Sequence, residues 1–329
     1  MRKYNSINEL LTYVENEKII ICDEFSEELV HLLKILEKVN PCSQQYELID
    51  NTVIISYYLK INLFNFANLF PLNVKVQVIG LPVSVSEKGY FGEQHIVQKA
   101  IERRKGLKIL LNGNSEFENG GRTLSTFVFE NKFTSFDRYI DSLRSPYRRR
   151  IKKALSHRND IDIRKFDNVN FNKNHYELYL SIMKRTDNPL ETLPIEFFIN
   201  YDAELYEFMD AKTKEIIGFV QIKEIKNKLL FLFGGFRKED NSKYDTYYNM
   251  LTKIIEIGIE KKVECIEFGQ TAEECKMKIG CKEIPKYMYV HHSNPVLNRI
   301  IQSLVPMFSY KPYGIKHHVF KQNCDEEEC

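Results

Sequence analysis

The sequence predicts a mixed α/β (α+β) fold in two tandem halves, on three observations. Period-two runs of β-branched and aromatic residues alternate along the chain with stretches of helical periodicity. The chain has 329 residues, against roughly 150 per ordinary domain. Near its middle the strand pattern gives way to a proline-divided, basic helical segment, after which the alternation resumes. The expected division is a first domain over residues 1–134, a basic helical junction over 135–165 and a second domain over 166–329.

In the first half, Lys18–Cys22 and the stretch Glu47–Leu63 read as strands, the latter divided by the turn residues Ile49-Asp50-Asn51. VKVQVIG at Val74–Gly80 alternates strictly and stops at Gly80-Leu81-Pro82. A helix is expected from about Gly92 to Lys105, with Ile96, Val97, Ala100 and Ile101 on one face, then strands Leu107–Leu111 and Leu124–Phe129. Leu63–Val85 is the most apolar region, but Asn65, Asn68, Pro71, Asn73 and Lys75 interrupt it. It therefore reads as buried strand and loop, since a membrane span takes about 20 apolar residues.

At the junction, Phe136, Tyr139, Ile140 and Leu143 form a helical stripe. Ser145-Pro146 then supplies an N-cap and a first-turn proline for a second helix reaching Leu155. The second half follows as strand Ile161–Lys165, helix Tyr176–Lys184, a loop at Asp187-Asn188-Pro189 and a short helix over Ile195–Asn200. Strands Glu204–Met209, Ile216–Glu224 and Lys228–Phe236 come next, joined by turns. A helix over Tyr244–Lys261, strand Val263–Phe268, a short helix from Ala272 to Lys278, and strands Lys286–His291 and Lys316–Phe320 complete the order. The acidic tail NCDEEEC reads as a frayed, solvated end.

Charge and cysteine usage narrow the function classes. With 47 Lys+Arg against 45 Asp+Glu, the protein carries a net charge of only +2, so no DNA partner is expected. Residues 138–165 nevertheless hold ten basic residues against three acidic, a local excess of +7 balanced by −5 elsewhere. Such a concentration suits an anion-facing surface as well as a solvated helix face. Seven scattered cysteines and an N-terminus without a signal-type apolar stretch point to reduced thiols in a cytoplasmic protein without a membrane span. Cys275 and Cys281 with His291-His292 lack a zinc-site spacing, so no metal is expected. Neither a P-loop nor a dinucleotide fingerprint is present.

Four segments resemble the GCN5-related N-acetyltransferase (GNAT) superfamily, and within it the FemAB-like branch that includes peptidoglycan biosynthesis or recognition proteins. They are the folded helix and Arg/Lys-rich helix TSFDRYIDSLRSPYRRRIKKAL, FGGF at Phe233–Phe236 followed by YDTYY at Tyr244–Tyr248, IEFGQ at Ile266–Gln270, and Lys276-Met277-Lys278-Ile279-Gly280. VIGLPVS at Val78–Ser84 is similar to part of the first domain of such proteins. The resemblance implies two tandem GNAT-like domains, each a mixed, mostly antiparallel sheet flanked by helices. It also implies acyl transfer to an amine at the second domain, by direct attack and without a covalent enzyme intermediate. Two departures stand out. Many GNAT enzymes hold the coenzyme A pyrophosphate on a glycine-rich loop after the FGGF-type strand, whereas Arg237–Lys243 (RKEDNSK) has no glycine. Cys275 stands where relatives often have tyrosine.

Direct transfer needs a positioned amine, a donor carbonyl and hydrogen-bond donors or charge at the oxyanion. The resemblance places Lys276 beside the donor channel, to stabilise the transition-state oxygen or a donor phosphate; otherwise it is a solvated surface lysine. Glu267, at a strand's carboxyl end, could accept the amine proton or be an exposed strand-end charge. Of Tyr247 and Tyr248, one is expected in the core and one against the ligand, with Tyr248 the catalytic candidate. Phe233, Gly234 and Gly235 could expose backbone to the donor or form a glycine bulge. Gln270 could orient a substrate carbonyl or, with Thr271, cap the next helix. Arg148, Arg149 and Lys152 are the anion-binding candidates. No tightly bound cofactor is expected; the donor is open between an acyl-CoA, the leading reading, and an aminoacyl-tRNA, and the acceptor is an amine-bearing small molecule or peptide. The alternatives are an aminoacyl-tRNA-dependent ligase of cell-wall or natural-product type, and a non-catalytic recognition protein on the same fold.

Overall fold

The computed structural model describes residues 2–40, 42–62, 73–83, 85–185, 191–312 and 314–321. In chain order, β1 (Arg2–Tyr4), α1 (Ile7–Asn16), α2 (Glu27–Val39), β2 (Gln45–Ile49), β3 (Thr52–Asn62), β4 (Asn73–Ile79), β5 (Tyr90–Phe91), α3 (Gln94–Arg103) and β6 (Leu107–Gly113) come first. Then follow β7 (Gly121–Glu130), α4 (Phe136–Ser142), α5 (Ser145–Leu155), β8 (Ile161–Phe166), α6 (Lys173–Met183), α7 (Ile195–Asn200), β9 (Glu204–Asp210), β10 (Ile216–Ile225) and β11 (Lys228–Phe236). The last elements are α8 (Lys238–Tyr244), α9 (Thr246–Glu260), β12 (Cys265–Glu267), α10 (Glu273–Lys278), β13 (Lys282–His292) and α11 (Pro295–Phe308).

These elements form two compact units, residues 1–125 with 285–311, and residues 126–284 with 312–329. The α4–α5 segment thus lies inside the second unit, and the chain returns to the first after residue 284. In the first unit β1, β2, β3 and β4 run antiparallel, β4 pairs in parallel with β6, and β6 pairs antiparallel with β13. In the second, β8, β9, β10 and β11 run antiparallel, β11 pairs in parallel with β12, and β12 pairs antiparallel with β7. One sheet pattern is therefore used twice, which is the tandem, mostly antiparallel architecture expected from the sequence.

The first unit packs α3 through Val97, Ala100 and Ile101 against Ile54, Ile79 and Leu110. In the second, α9 buries Leu251, Ile254 and Ile255 among Phe127, Phe129, Val220 and Leu229, with Tyr139 and Ile151 from α4 and α5. Helices α1 and α2 escape the sequence reading, although each starts with a serine whose side chain accepts an amide proton, Ser6 from Glu9 and Ser26 from Leu29.

Several expected elements differ. Lys18–Cys22 forms no strand: Lys18 turns at φ 53° and Ile20 is 82% exposed, so the β-branched run has no ladder partner. Lys316–Phe320 contributes only a single bridge, Leu143 to Phe320. Ser145 is the first residue of α5, after N-cap Arg144, rather than its cap. The helix expected over Tyr244–Lys261 is broken at Asp245, and the RKEDNSK loop is largely helix α8. Much of Leu63–Val85, the Asp187–Pro189 loop and the acidic tail lie outside the described residues.

Candidate active site

The candidate site residues of the second unit gather where two parallel strands part. Along β10, Gln221 faces Phe233 and Ile222 faces Phe231, so Leu232 is an extra residue bulging from β11. On the other edge of β11, β12 pairs only at Lys228 with Cys265, Leu229 with Ile266 and Leu230 with Glu267. Past Glu267 the chain follows β7 instead: the Phe268 amide donates to the Phe127 carbonyl at 2.8 Å, and the Phe127 amide to the Gly269 carbonyl at 3.1 Å. Gly269, at φ +69°, makes the turn with a conformation that few side-chain-bearing residues adopt. Beyond Leu230, β11 keeps β10 as its strand partner while β12 leaves, so a gap in the strand pairing begins along that edge of β11.

Two expected site residues, Glu267 and Gln270, frame this gap, and Lys276 braces it. Glu267 is half-buried on the last β12 position, where its carboxylate accepts from the Thr126 hydroxyl at 3.3 Å. Gln270 is half-buried just past the turn. Lys276 is only 2% exposed, which removes the solvated-lysine reading. Its ammonium donates to the carbonyls of Gly269, at 3.2 Å, and Gln270, and lies 5.9 Å from the Phe127 ring centroid. Burial pushes its pKa down to about 7. The side chain thus holds the 269–270 turn in place. The expected capping by Gln270 or Thr271 is absent, because α10 begins after Ala272, itself at φ 50°, with no side-chain cap.

The glycines of FGGF serve packing. A Cβ on Gly235 would lie 2.6 Å from the Tyr179 amide nitrogen, and one on Gly234 would lie 2.8 Å from Met250 Cε and 3.1 Å from the Phe219 carbonyl oxygen. Their missing side chains let α6 and α9 approach the two faces of β11. Phe233 is buried beside Tyr179, Phe197 and Phe198. Tyr247 packs on Phe236 with ring centroids 5.4 Å apart. Tyr248 lies under the Arg150 guanidinium, 3.9 Å from its centroid, and hydrogen-bonds Cys275. Burial raises the pKa values of both Tyr248 and Cys275, keeping them neutral near pH 7.

The start of α9 is closed by the protein's own groups, which the sequence reading missed. Asp245, left-handed at φ 51°, accepts from Arg150 at 2.6 Å. The Tyr247 amide donates to the Asn241 side chain of α8 at 2.9 Å. Arg237 is held by Asp240 at 2.8 Å and Glu215 at 2.7 Å. Glu239 and Asp240 in the first turn of RKEDNSK and Lys243 in its last are the signal that could have revealed α8, since they complement the helix dipole. On α5, Arg149 and Lys152 are exposed and Arg148 half-buried, on a different face from Arg150. Among the described residues no group of three or more His, Cys, Asp or Glu side chains could hold a metal ion.

No protein-family model matches the chain, and no curated protein matches it. Solved structures do. A conserved protein from Bacteroides thetaiotaomicron is similar at 8% identity and TM-score 0.52, over 88% of this chain and 98% of that one. The C-terminal domain of a protein described as a lysylphosphatidylglycerol synthetase, from Agrobacterium fabrum, is similar at 10% identity and TM-score 0.50, over 90% and 96%. FemX is similar at 12% identity and TM-score 0.49, over 92% and 100%. At these identities the likeness is one of fold, shared by this chain with the Bacteroides protein and the synthetase domain over nearly their whole lengths.

Proposed function

We propose that the second unit transfers an acyl or aminoacyl group to an amine by direct attack in the gap between β11 and β12. The observation that carries this reading is the end of their pairing at Leu230 and Glu267, past which no described strand pairs with that edge of β11, while the Glu267 carboxylate, held by the Thr126 hydroxyl of β7, stands at the last paired position. In this reading the amine attacks the donor carbonyl, the new C–N bond forms as the donor's ester or thioester bond breaks, and Glu267 takes the amine proton. Backbone N–H groups of β11 stabilise the oxyanion. Lys276 is a positioning residue, acting through the Gly269–Gln270 turn.

The donor we favour is an aminoacyl ester of tRNA rather than acyl-CoA. A pyrophosphate at the start of α9 would meet the Asp245 carboxylate, and the Tyr247 amide there already has Asn241 as its acceptor. The exposed basic side of α5 suits a polyanion instead. The test is a transfer assay with labelled aminoacyl-tRNA or labelled acetyl-CoA as donor and lysine-containing peptides and amino sugars as acceptors. Transfer from tRNA that weakens in Glu267→Gln is expected. Transfer from acetyl-CoA alone would replace the donor, and no transfer or binding with either would favour a recognition protein.

A further inference from the structure

Helix α11 is apolar on the side that the described residues leave exposed. Val296, Leu297, Ile300, Leu304 and Met307 fall within about 100° of one another around a helix of 3.6 residues per turn, and all five are exposed, Val296 at 68% and Met307 at 74%. The opposite side holds the helix in the first unit: Val305 is buried against Gly121, and Asn298 accepts from the His292 amide at 2.9 Å. The polar residues Asn298, Arg299, Gln302 and Ser303 lie outside this arc, so the helix is amphipathic with its apolar side outward, the mark of a second environment. The 14 residues of α11 make a helix of about 21 Å, shorter than the ~30 Å needed to span a bilayer core.

Charge decides between environments. Residues 285–311 contain Lys286, Arg299 and Lys311 and no Asp or Glu, in a chain with 45 acidic residues. Arg299 and Lys311 are exposed, Arg299 beside the arc and Lys311 just after the helix. A twofold contact between copies would bring this face against itself and place like charges together. An anionic lipid surface accepts both the aliphatic arc and the basic flank. We propose that α11 lies in the interface of an anionic membrane, its axis parallel to the surface and its aliphatic arc among the acyl chains.

The test is co-sedimentation of the full chain with vesicles of phosphatidylcholine alone or mixed with phosphatidylglycerol. The expected result is binding to the phosphatidylglycerol vesicles that falls about tenfold in Ile300→Glu/Leu304→Glu and weakens in Arg299→Glu and with salt. Thermal melting of the variants should match that of the parent, because the replaced side chains are exposed. Failure to bind phosphatidylglycerol vesicles, or binding indifferent to Ile300→Glu/Leu304→Glu, overturns the proposal. So does a dimer in analytical ultracentrifugation that this double substitution dissolves, which would make a second copy the occupant.

Discussion

The buried ammonium of Lys276 donates to the Gly269 carbonyl at 3.2 Å, tying α10 to the turn where β12 leaves β11. With a pKa lowered to about 7 by burial, Lys276 binds fewer protons in the folded chain than in the unfolded one between about pH 7 and its ordinary value near 10.4. Stability should therefore rise with pH across that window and lose this gain as pH falls through 7. Urea melts of the parent and Lys276→Met at several pH values check this. The difference between their stabilities should change steeply from pH 7 to 10 and little below pH 6.

Gly235→Ala should be the more damaging of the two FGGF substitutions. Its Cβ would press on the α6 backbone, which can move only by displacing the helix, whereas that of Gly234 meets the flexible end of Met250 as its nearest neighbour. The expected cost of Gly235→Ala is about 1–3 kcal/mol, with a smaller loss for Gly234→Ala, measured by chemical denaturation.

Arg149→Ala/Lys152→Ala should weaken tRNA binding without altering the melting temperature, since both side chains are exposed on α5. If each contacts a phosphate, the slope of log affinity against log salt should fall by about one per residue. Fluorescence anisotropy over a salt series measures it. An unchanged slope would remove α5 from the anion-binding surface.

Cys275→Ala should leave turnover within about threefold. A thiol whose pKa is raised by burial is a poor nucleophile, and its partner is the neutral Tyr248. Labelled protein trapped during turnover, or loss of activity in this variant, would point to a covalent intermediate.

Most strands of both units were legible because alternation and turn pairs act locally: the turn expected at Asp50 forms, with Asp50 at φ 52°, and α7 falls on its expected residues. What the sequence hid depends on partners distant in the chain. Lys18–Cys22 has strand composition but no neighbouring edge. Helix α11 has a clear helical periodicity that the sequence reading passed over. Glu267 and Gln270 could be singled out by their place at and just past a strand's end, and Lys276 by the motif that resembles the GNAT superfamily's. That Lys276 would turn inward to brace the Gly269–Gln270 turn, and that α8 with Asp245 would close the start of α9, are tertiary arrangements.

Hydrogen exchange with a non-hydrolysable aminoacyl-adenosine amide tests the central claim most directly. The account predicts slowed exchange over residues 231–236 and 268–272, the two sides of the β11–β12 gap, with acetyl-CoA giving no protection at the start of α9. Protection that spares both segments, or protection of residues 245–249 by acetyl-CoA, would contradict it.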